Sequence, residues 1–178
     1  MDITHHLAAT LKQLRHDCGL SLTQAAAVTG VSKAMLGQIE RNESSPTVAT
    51  LWKIATGLNV PLSHFISAAD TPPRPVYDPQ QNGMSIAPLF PFDEQLRCDY
   101  FAITLAPGAQ SDSTPHEAGV TEHVVVIHGV LELQTAGEWR TLRSGEGLRF
   151  AGDAPHAYRN AQQEPVLFHS LIHYPPPR

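Results

Sequence analysis

The chain has 178 residues, enough for one large domain or two small ones. Hydrophobic residues make up 42% of it and charged residues 16%, which excludes an intrinsically disordered chain. No apolar run approaches the roughly 20 residues that span a bilayer, and residues 1–15 lack the pattern of a secretory signal. Because the two cysteines, Cys18 and Cys98, are far apart, we expect reduced thiols in a cytoplasmic protein.

Taken over the whole chain, the net charge of −5 disfavours nucleic acid as a partner, but this charge is unevenly distributed. Residues 1–66 carry five Lys or Arg and four Asp or Glu, whereas residues 67–178 carry seven and thirteen. The acidic excess therefore lies in the second part. DNA binding by the first part must depend on locally placed side chains and on two copies acting together.

Residues 1–66 have the pattern of short helices joined by tight turns. Apolar residues recur at helical spacing from Ile3 to Leu14, and Gly19 is a helix stop. The starts of the later helices are marked by Ser21 or Thr23, Ser32, Thr47 and Pro61. Gly30 marks a tight turn between two of them. This pattern predicts five helices.

The pattern changes after residue 66. Residues 67–83 carry four prolines and end in Asn-Gly, which predicts a semi-rigid, extended linker. In residues 84–178, short apolar runs alternate with Gly, Pro and Asp, and strand signals recur about every 8–12 residues. This spacing predicts a β-sandwich or barrel.

Residues 21–42 have the order helix, small-residue turn, helix. The second helix begins at the Ser32 cap, so Lys33 and Gln38 are exposed on it, with donors and acceptors suited to base edges and phosphates. Gln24, at the start of the first helix, can bring its amide and the helix N–H groups to a phosphate. The alternative is a helical bundle used for protein contacts.

Residues 7–66 resemble the helix-turn-helix domain of the XRE family, the phage-repressor type. The resemblance implies that the bases of a double-stranded DNA operator are faced by Ser32, Lys33, Ala34 and Gln38. It implies that the DNA backbone is met by Gln24, Arg41 and Asn42. Glu40 falls on a structural position, and Met35 is interpreted as a packing residue.

Residues 108–129 and 145–160 resemble the two motifs of the cupin family, which implies a double-stranded β-helix, or jelly-roll, barrel. The resemblance places a metal-ligand set at His116, Glu122 and His156, while Ala118 replaces the usual second histidine of the first motif. Two imidazoles and one carboxylate suit a divalent metal, zinc in the first place and iron(II) as the alternative. A cupin that has lost its metal and kept its pocket is the other possibility.

The barrel is expected to enclose an apolar cavity for a small molecule. Its expected apolar lining is Phe101, Ile103, Val124, Val126, Phe150 and Phe168. Its expected polar contacts are Arg149, Tyr158 and His169. Arg149 would pair with a carboxylate, unless it is an ordinary surface arginine.

A helix-turn-helix followed by a cupin resembles a known class of bacterial transcriptional regulators. Stretches such as EHVVVI and FHSLIHYP are similar to members that control sulfur-utilisation genes. The resemblance implies a repressor or activator, and we expect a homodimer that places recognition helices about 34 Å apart. A sulfur-containing amino acid or related metabolite is the effector hypothesis.

Two other functions remain open at this point. Some mononuclear iron oxygenases and epoxidases also join a helix-turn-helix to a two-His-one-Glu cupin. The retained DNA-reading residues favour a regulator that is not an enzyme. The cupin could also be a scaffold that dimerises and senses nothing.

Overall fold

The computed structural model describes residues 3–66, called the head below, and residues 83–176, called the barrel. The predicted linker, 67–83, lies outside the described residues except for Gly83. Cys18 and Cys98 are both free thiols, as expected. No helix in the described parts of the chain is both long and apolar enough to cross a membrane.

The head consists of five helices, as predicted. They are α1 (Ile3–Asp17), α2 (Leu22–Thr29), α3 (Lys33–Glu40), α4 (Val48–Leu58) and α5 (Ser63–Ile66).

Local capping explains where the helices of the head begin. Ser21, rather than Thr23, caps α2, and its side chain accepts a hydrogen bond from the backbone N–H of Gln24. Ser32 and Thr47 cap α3 and α4 in the same way. The turn between α2 and α3 is made at Gly30, whose φ of 67° lies in the left-handed region that favours glycine.

Two contacts hold the head together around its apolar core. Arg15 of α1 donates to both carboxylate oxygens of Glu40 on α3, at 2.6 and 3.0 Å, which confirms the structural role of Glu40. Helices α2 and α4 approach closely at Gly57. A Cβ added at this glycine would lie only 2.5 Å from the Thr29 Cα. Helix α4 is therefore packed tightly against the helix-turn-helix.

The barrel consists of nine strands. They are β1 (Met84–Asp93), β2 (Cys98–Leu105), β3 (Gln110–Ser113), β4 (Thr121–His128), β5 (Val130–Thr135), β6 (Glu138–Arg143), β7 (Gly147–Ala151), β8 (His156–Arg159) and β9 (Val166–His173).

Two antiparallel sheets make up the barrel, in the orders β1-β2-β9-β4-β7 and β3-β8-β5-β6. Side chains alternate between its interior and its surface, as in β9, where Phe168 and Ser170 are buried and His169 is not. This architecture is the predicted cupin barrel.

The head rests directly on the barrel. Helices α4 and α5 contact β1, and α4 also contacts β3. The Trp52 ring meets the buried Phe101 ring edge-on, with 6.1 Å between centroids. One hydrophobic cluster continues from head to barrel, so a change at this contact reaches both parts.

Candidate metal centre and nucleic-acid interface

Three buried side chains converge inside the barrel. Glu122 lies on β4, His156 begins β8, and His116 lies in the segment before β4. Glu122 Oε1 is 2.8 Å from His116 Nε2 and 3.3 Å from His156 Nε2. One ligand atom from each residue lies within 4.8 Å of the others, so the structure brings the predicted ligand set together.

The bonding of Glu122 fits a metal ion. Oε1 is fully buried and completes no hydrogen bond with any described residue, although both imidazoles lie beside it. Oε2 accepts a hydrogen bond from the Tyr158 hydroxyl at 2.8 Å, and the Ser170 hydroxyl lies at 3.5 Å. A buried carboxylate oxygen facing two ring nitrogens is the donor set that a divalent cation would satisfy.

The tautomer of His156 also fits a metal. Its Nδ1 donates to the carbonyl of Ala154 at 2.9 Å, which leaves the Nε2 lone pair facing Glu122. Outer hydrogen bonds of this kind orient metal-binding histidines. Burial lowers the pKa of His156 and outweighs the Glu122 carboxylate and the Ala154 carbonyl, which raise it, so the neutral, ligating form is favoured.

The electrostatics of Glu122 favour the charged form. Burial alone would raise its pKa, but His116, His156 and the Tyr158 hydroxyl outweigh burial and lower it. Burial and the adjacent carboxylate raise the pKa of Tyr158 well above its ordinary range, so it remains a hydrogen-bond donor. Carboxylate and neutral imidazole are the states in which these groups bind metals.

A glycine beside the centre was missed by the motif comparison. The second cupin motif places its glycine at Asp153, whereas Gly152 is the residue against the ligands. A Cβ at Gly152 would lie 3.0 Å from Glu122 Oε1 and 3.1 Å from the His116 ring. The motif's glycine is therefore shifted by one residue, and it keeps the space that the ligands need.

The predicted pocket residues fall into two sets. Phe101, Val124 and Tyr158 are buried inside the barrel, as expected. The prediction that Arg149 and His169 line the pocket was wrong, because each lies on the outer face of its strand. Arg149 is exposed opposite His123, and His169 Nδ1 lies 3.0 Å from the Tyr100 hydroxyl.

The head contributes a residue that the sequence did not place beside the candidate metal centre. Trp52 of α4 is almost fully buried, and its ring centroid lies 4.7 Å from that of His116. In the sequence, Trp52 is one apolar residue in a helical stripe. No local signal shows that it meets a residue 64 positions later.

The other candidate surface is the exposed face of the helix-turn-helix. Ser32, Lys33, Ala34 and Gln38 are all exposed on α3 or at its start. Gln24 Oε1 accepts from the Ser21 N–H at 2.9 Å, which completes a capping box. The Nε2 donors of Gln24 are left facing outward, where a phosphate could accept from them.

Two residues at this surface differ in detail from the sequence interpretation. Arg41 forms two hydrogen bonds to Glu43, both of 2.8 Å, so it must exchange partners to reach DNA. Asn42 adopts a left-handed φ of 57°, and its amide lies near the His5 ring. Met35, interpreted as a packing residue at the helix surface, is 40% exposed, which is consistent with a surface position.

A helix-turn-helix head on a cupin barrel defines the class of this protein. Residues 11–65 match the helix-turn-helix family model, and residues 101–172 match the cupin domain model. The chain belongs to the helix-turn-helix transcriptional regulators that carry a cupin domain.

Individual relatives support this assignment. The chain is 63% identical over 174 residues to the HTH-type transcriptional regulator SutR of Escherichia coli (strain K12), covering 98% of each protein. A crystal structure of an HTH_3 family transcriptional regulator from Vibrio cholerae matches with a TM-score of 0.87 and 40% identity, over 98% of this chain and 99% of that one. The cupin domain of an XRE family regulator from Enterobacter cloacae is 67% identical, with a TM-score of 0.52, over 52% of this chain and 98% of that one.

Proposed function

We propose that this regulator binds operator DNA as a cytoplasmic homodimer and that its cupin barrel senses a small ligand at or near a metal centre. The observation that carries the proposal is the contact between Trp52 of the head and His116 of the candidate metal centre. It gives the barrel a direct means of acting on the DNA-binding part.

The exposed face of α3 supports DNA reading. Lys33 and Gln38 offer side chains that can hydrogen-bond base edges, while Gln24 offers donors to the backbone. Because the head carries nearly equal numbers of basic and acidic residues, a single head has little net electrostatic attraction for DNA. Two heads on successive major grooves would supply the missing affinity.

The donor set of the barrel supports metal binding. His116, Glu122 and His156 would hold a divalent ion, zinc in preference to iron(II), and three protein ligands leave it open to water or a small molecule. Such an ion would act as a Lewis acid or as an anchor for an effector. The surrounding residues orient the ligands and exclude water.

The sequence resemblance supports sulfur-utilisation genes as the targets and a sulfur-containing amino acid or metabolite as the effector. The test is DNA selection from a random library with the purified chain, followed by affinity measurements with a panel of sulfur metabolites. A change in affinity with one of them is expected. Unchanged DNA affinity across the whole panel would contradict sulfur sensing, and tolerance of Glu122→Ala in the same assay would indicate a scaffold.

The geometry of the centre also favours a second candidate function. Two histidines and one carboxylate are the ligands of mononuclear iron(II) oxygenases. The exposed DNA-reading residues Lys33 and Gln38 favour the regulator. Oxygen consumption by the iron(II)-loaded protein, abolished by His156→Ala, would instead establish an enzyme.

A further inference from the structure

A cleft of about 220 Å³ lies between the head and the barrel. One side is formed by α4 and the turn after it, and the other by β1, the turn before β2, the segment around His116 and the segment after β9. The lining residues used below are Trp52, Phe92, Arg97, His116, Glu117 and Tyr174.

Two opposite charges face this cleft without pairing. Arg97 Nε donates to the Pro175 carbonyl at 2.8 Å, which fixes the guanidinium at the rim. Within residues 3–66 and 83–176, neither Arg97 nor Glu117 has an oppositely charged group within 4.0 Å. A guanidinium is suited to holding a carboxylate, and a carboxylate to holding an ammonium group.

Aromatic rings supply the apolar part of the cleft. Phe92 packs against the Tyr174 ring at 5.9 Å, and Trp52 lies against His116. The Tyr174 hydroxyl is already used, since it donates to Asp99 at 2.9 Å. A ligand in the cleft therefore meets ring surface as well as the two charged groups.

The volume limits the size of the occupant. Sites for drug-sized molecules have about 300–1,000 Å³, so 220 Å³ suits a small metabolite. We propose that the cleft is the effector site and that it takes a free amino acid with an apolar side chain. The carboxylate binds Arg97, the ammonium group binds Glu117, and the side chain packs on Trp52 and Phe92.

This proposal rests on the proposed function, because it gives the sensed ligand a place and a chemical class. An occupant touches α4 on one side and His116 on the other. Since α4 is closely packed on α2 at Gly57 and Thr29, and α2 contacts the recognition helix α3, a displacement of α4 would be passed to α3 through α2. The cleft is thus placed to change the position of the head.

The test is ligand-observed NMR and calorimetry with the full-length, zinc-loaded chain and each of the standard protein amino acids. At least one amino acid with an apolar side chain is expected to bind, and its methyl ester, which lacks the carboxylate, to bind about tenfold more weakly or worse. Arg97→Gln should produce a similar loss, whereas Arg97→Lys should retain part of the affinity. Arg143→Gln, an exposed arginine of β6, is the matched control and should leave binding unchanged.

The outcomes separate the cleft from the proposed function. Binding of no amino acid, or binding that neither Arg97→Gln nor the methyl ester weakens, overturns the cleft proposal. Thermal unfolding of each variant shows whether Arg97→Gln still folds. If an amino acid binds through Arg97 but DNA affinity does not change, the cleft site stands and the sensing function falls.

Discussion

The Trp52 ring lies 4.7 Å from the His116 ring, tilted by 55°, so a residue of the DNA-binding head covers a candidate metal ligand. His116 Nε2 lies 2.8 Å from the Glu122 carboxylate. A divalent ion bound by both side chains would reposition the His116 ring and so change the surface on which Trp52 packs.

The first prediction concerns this contact. Trp52→Leu keeps an apolar residue on α4 but removes the ring that rests on His116. We expect zinc affinity to change little, while the effect of zinc on DNA affinity, about 5–150-fold if the coupling is typical, disappears. Zinc calorimetry and fluorescence anisotropy with labelled operator measure the two quantities.

The matched control is Trp139→Phe. Trp139 is 37% exposed and packs under Arg159, away from the head. It should leave both the zinc affinity and the zinc response of DNA binding unchanged. A full zinc response in Trp52→Leu would show that the head is not coupled through this ring.

A second prediction separates the two roles of Gln24. Gln24→Glu keeps an oxygen that can accept from the Ser21 N–H, because glutamate also completes a capping box. It replaces the outward amide donors by negative charge. Thermal stability should be unchanged, while affinity for all DNA sequences falls by about tenfold or more. Unchanged affinity would remove Gln24 from the phosphate contacts.

A third prediction concerns sequence preference. Lys33→Ala and Gln38→Ala should each relax discrimination at particular base pairs, by about 1–3 kcal/mol per lost contact. Selection from random DNA with each variant identifies the affected positions. Lys12→Ala, exposed on α1, is the control and should leave the preferred sequence intact. The same preferred sequence in all four proteins would contradict the assigned roles.

A fourth prediction isolates the metal. Glu122→Gln keeps the side-chain shape and an oxygen that can accept from Tyr158, but it removes the charge between the histidines. Zinc at 100 times its Kd should stabilise the wild-type chain by about 2.7 kcal/mol and should not stabilise the variant. Thermal unfolding with and without zinc measures this. Equal stabilisation of both proteins would place zinc elsewhere.

A fifth prediction concerns pH and the contact between head and barrel. Asp99 is buried facing Ser63 of α5, and burial raises its pKa, although Tyr174 donates to it. A raised carboxyl pKa means that folding favours the protonated form, so this group's contribution to stability is lost as pH rises through the folded-state pKa. Asp99→Asn should therefore gain stability relative to wild type between pH 4 and pH 7. A constant difference across that range would contradict this.

Local signals in the sequence predicted much of the structure. Cap residues such as Ser32 and stop signals such as Gly30 act within one turn of helix, so the five helices could be located. The predicted metal ligands meet as expected, since the motif spacing reflects the barrel's strand pairing. Arg149 and His169 were misplaced because alternation along a strand does not by itself show which face is buried. Trp52 was missed because its partner belongs to the other domain.

We expect the state of the barrel's candidate metal centre to set the DNA affinity of the head. The most direct measurement is fluorescence anisotropy of selected operator DNA with metal-free and zinc-loaded protein, for wild type and Glu122→Gln, at one salt concentration. Zinc is expected to change the wild-type Kd by about fivefold or more and to leave that of Glu122→Gln unchanged. Identical Kd values for metal-free and zinc-loaded wild type would contradict it.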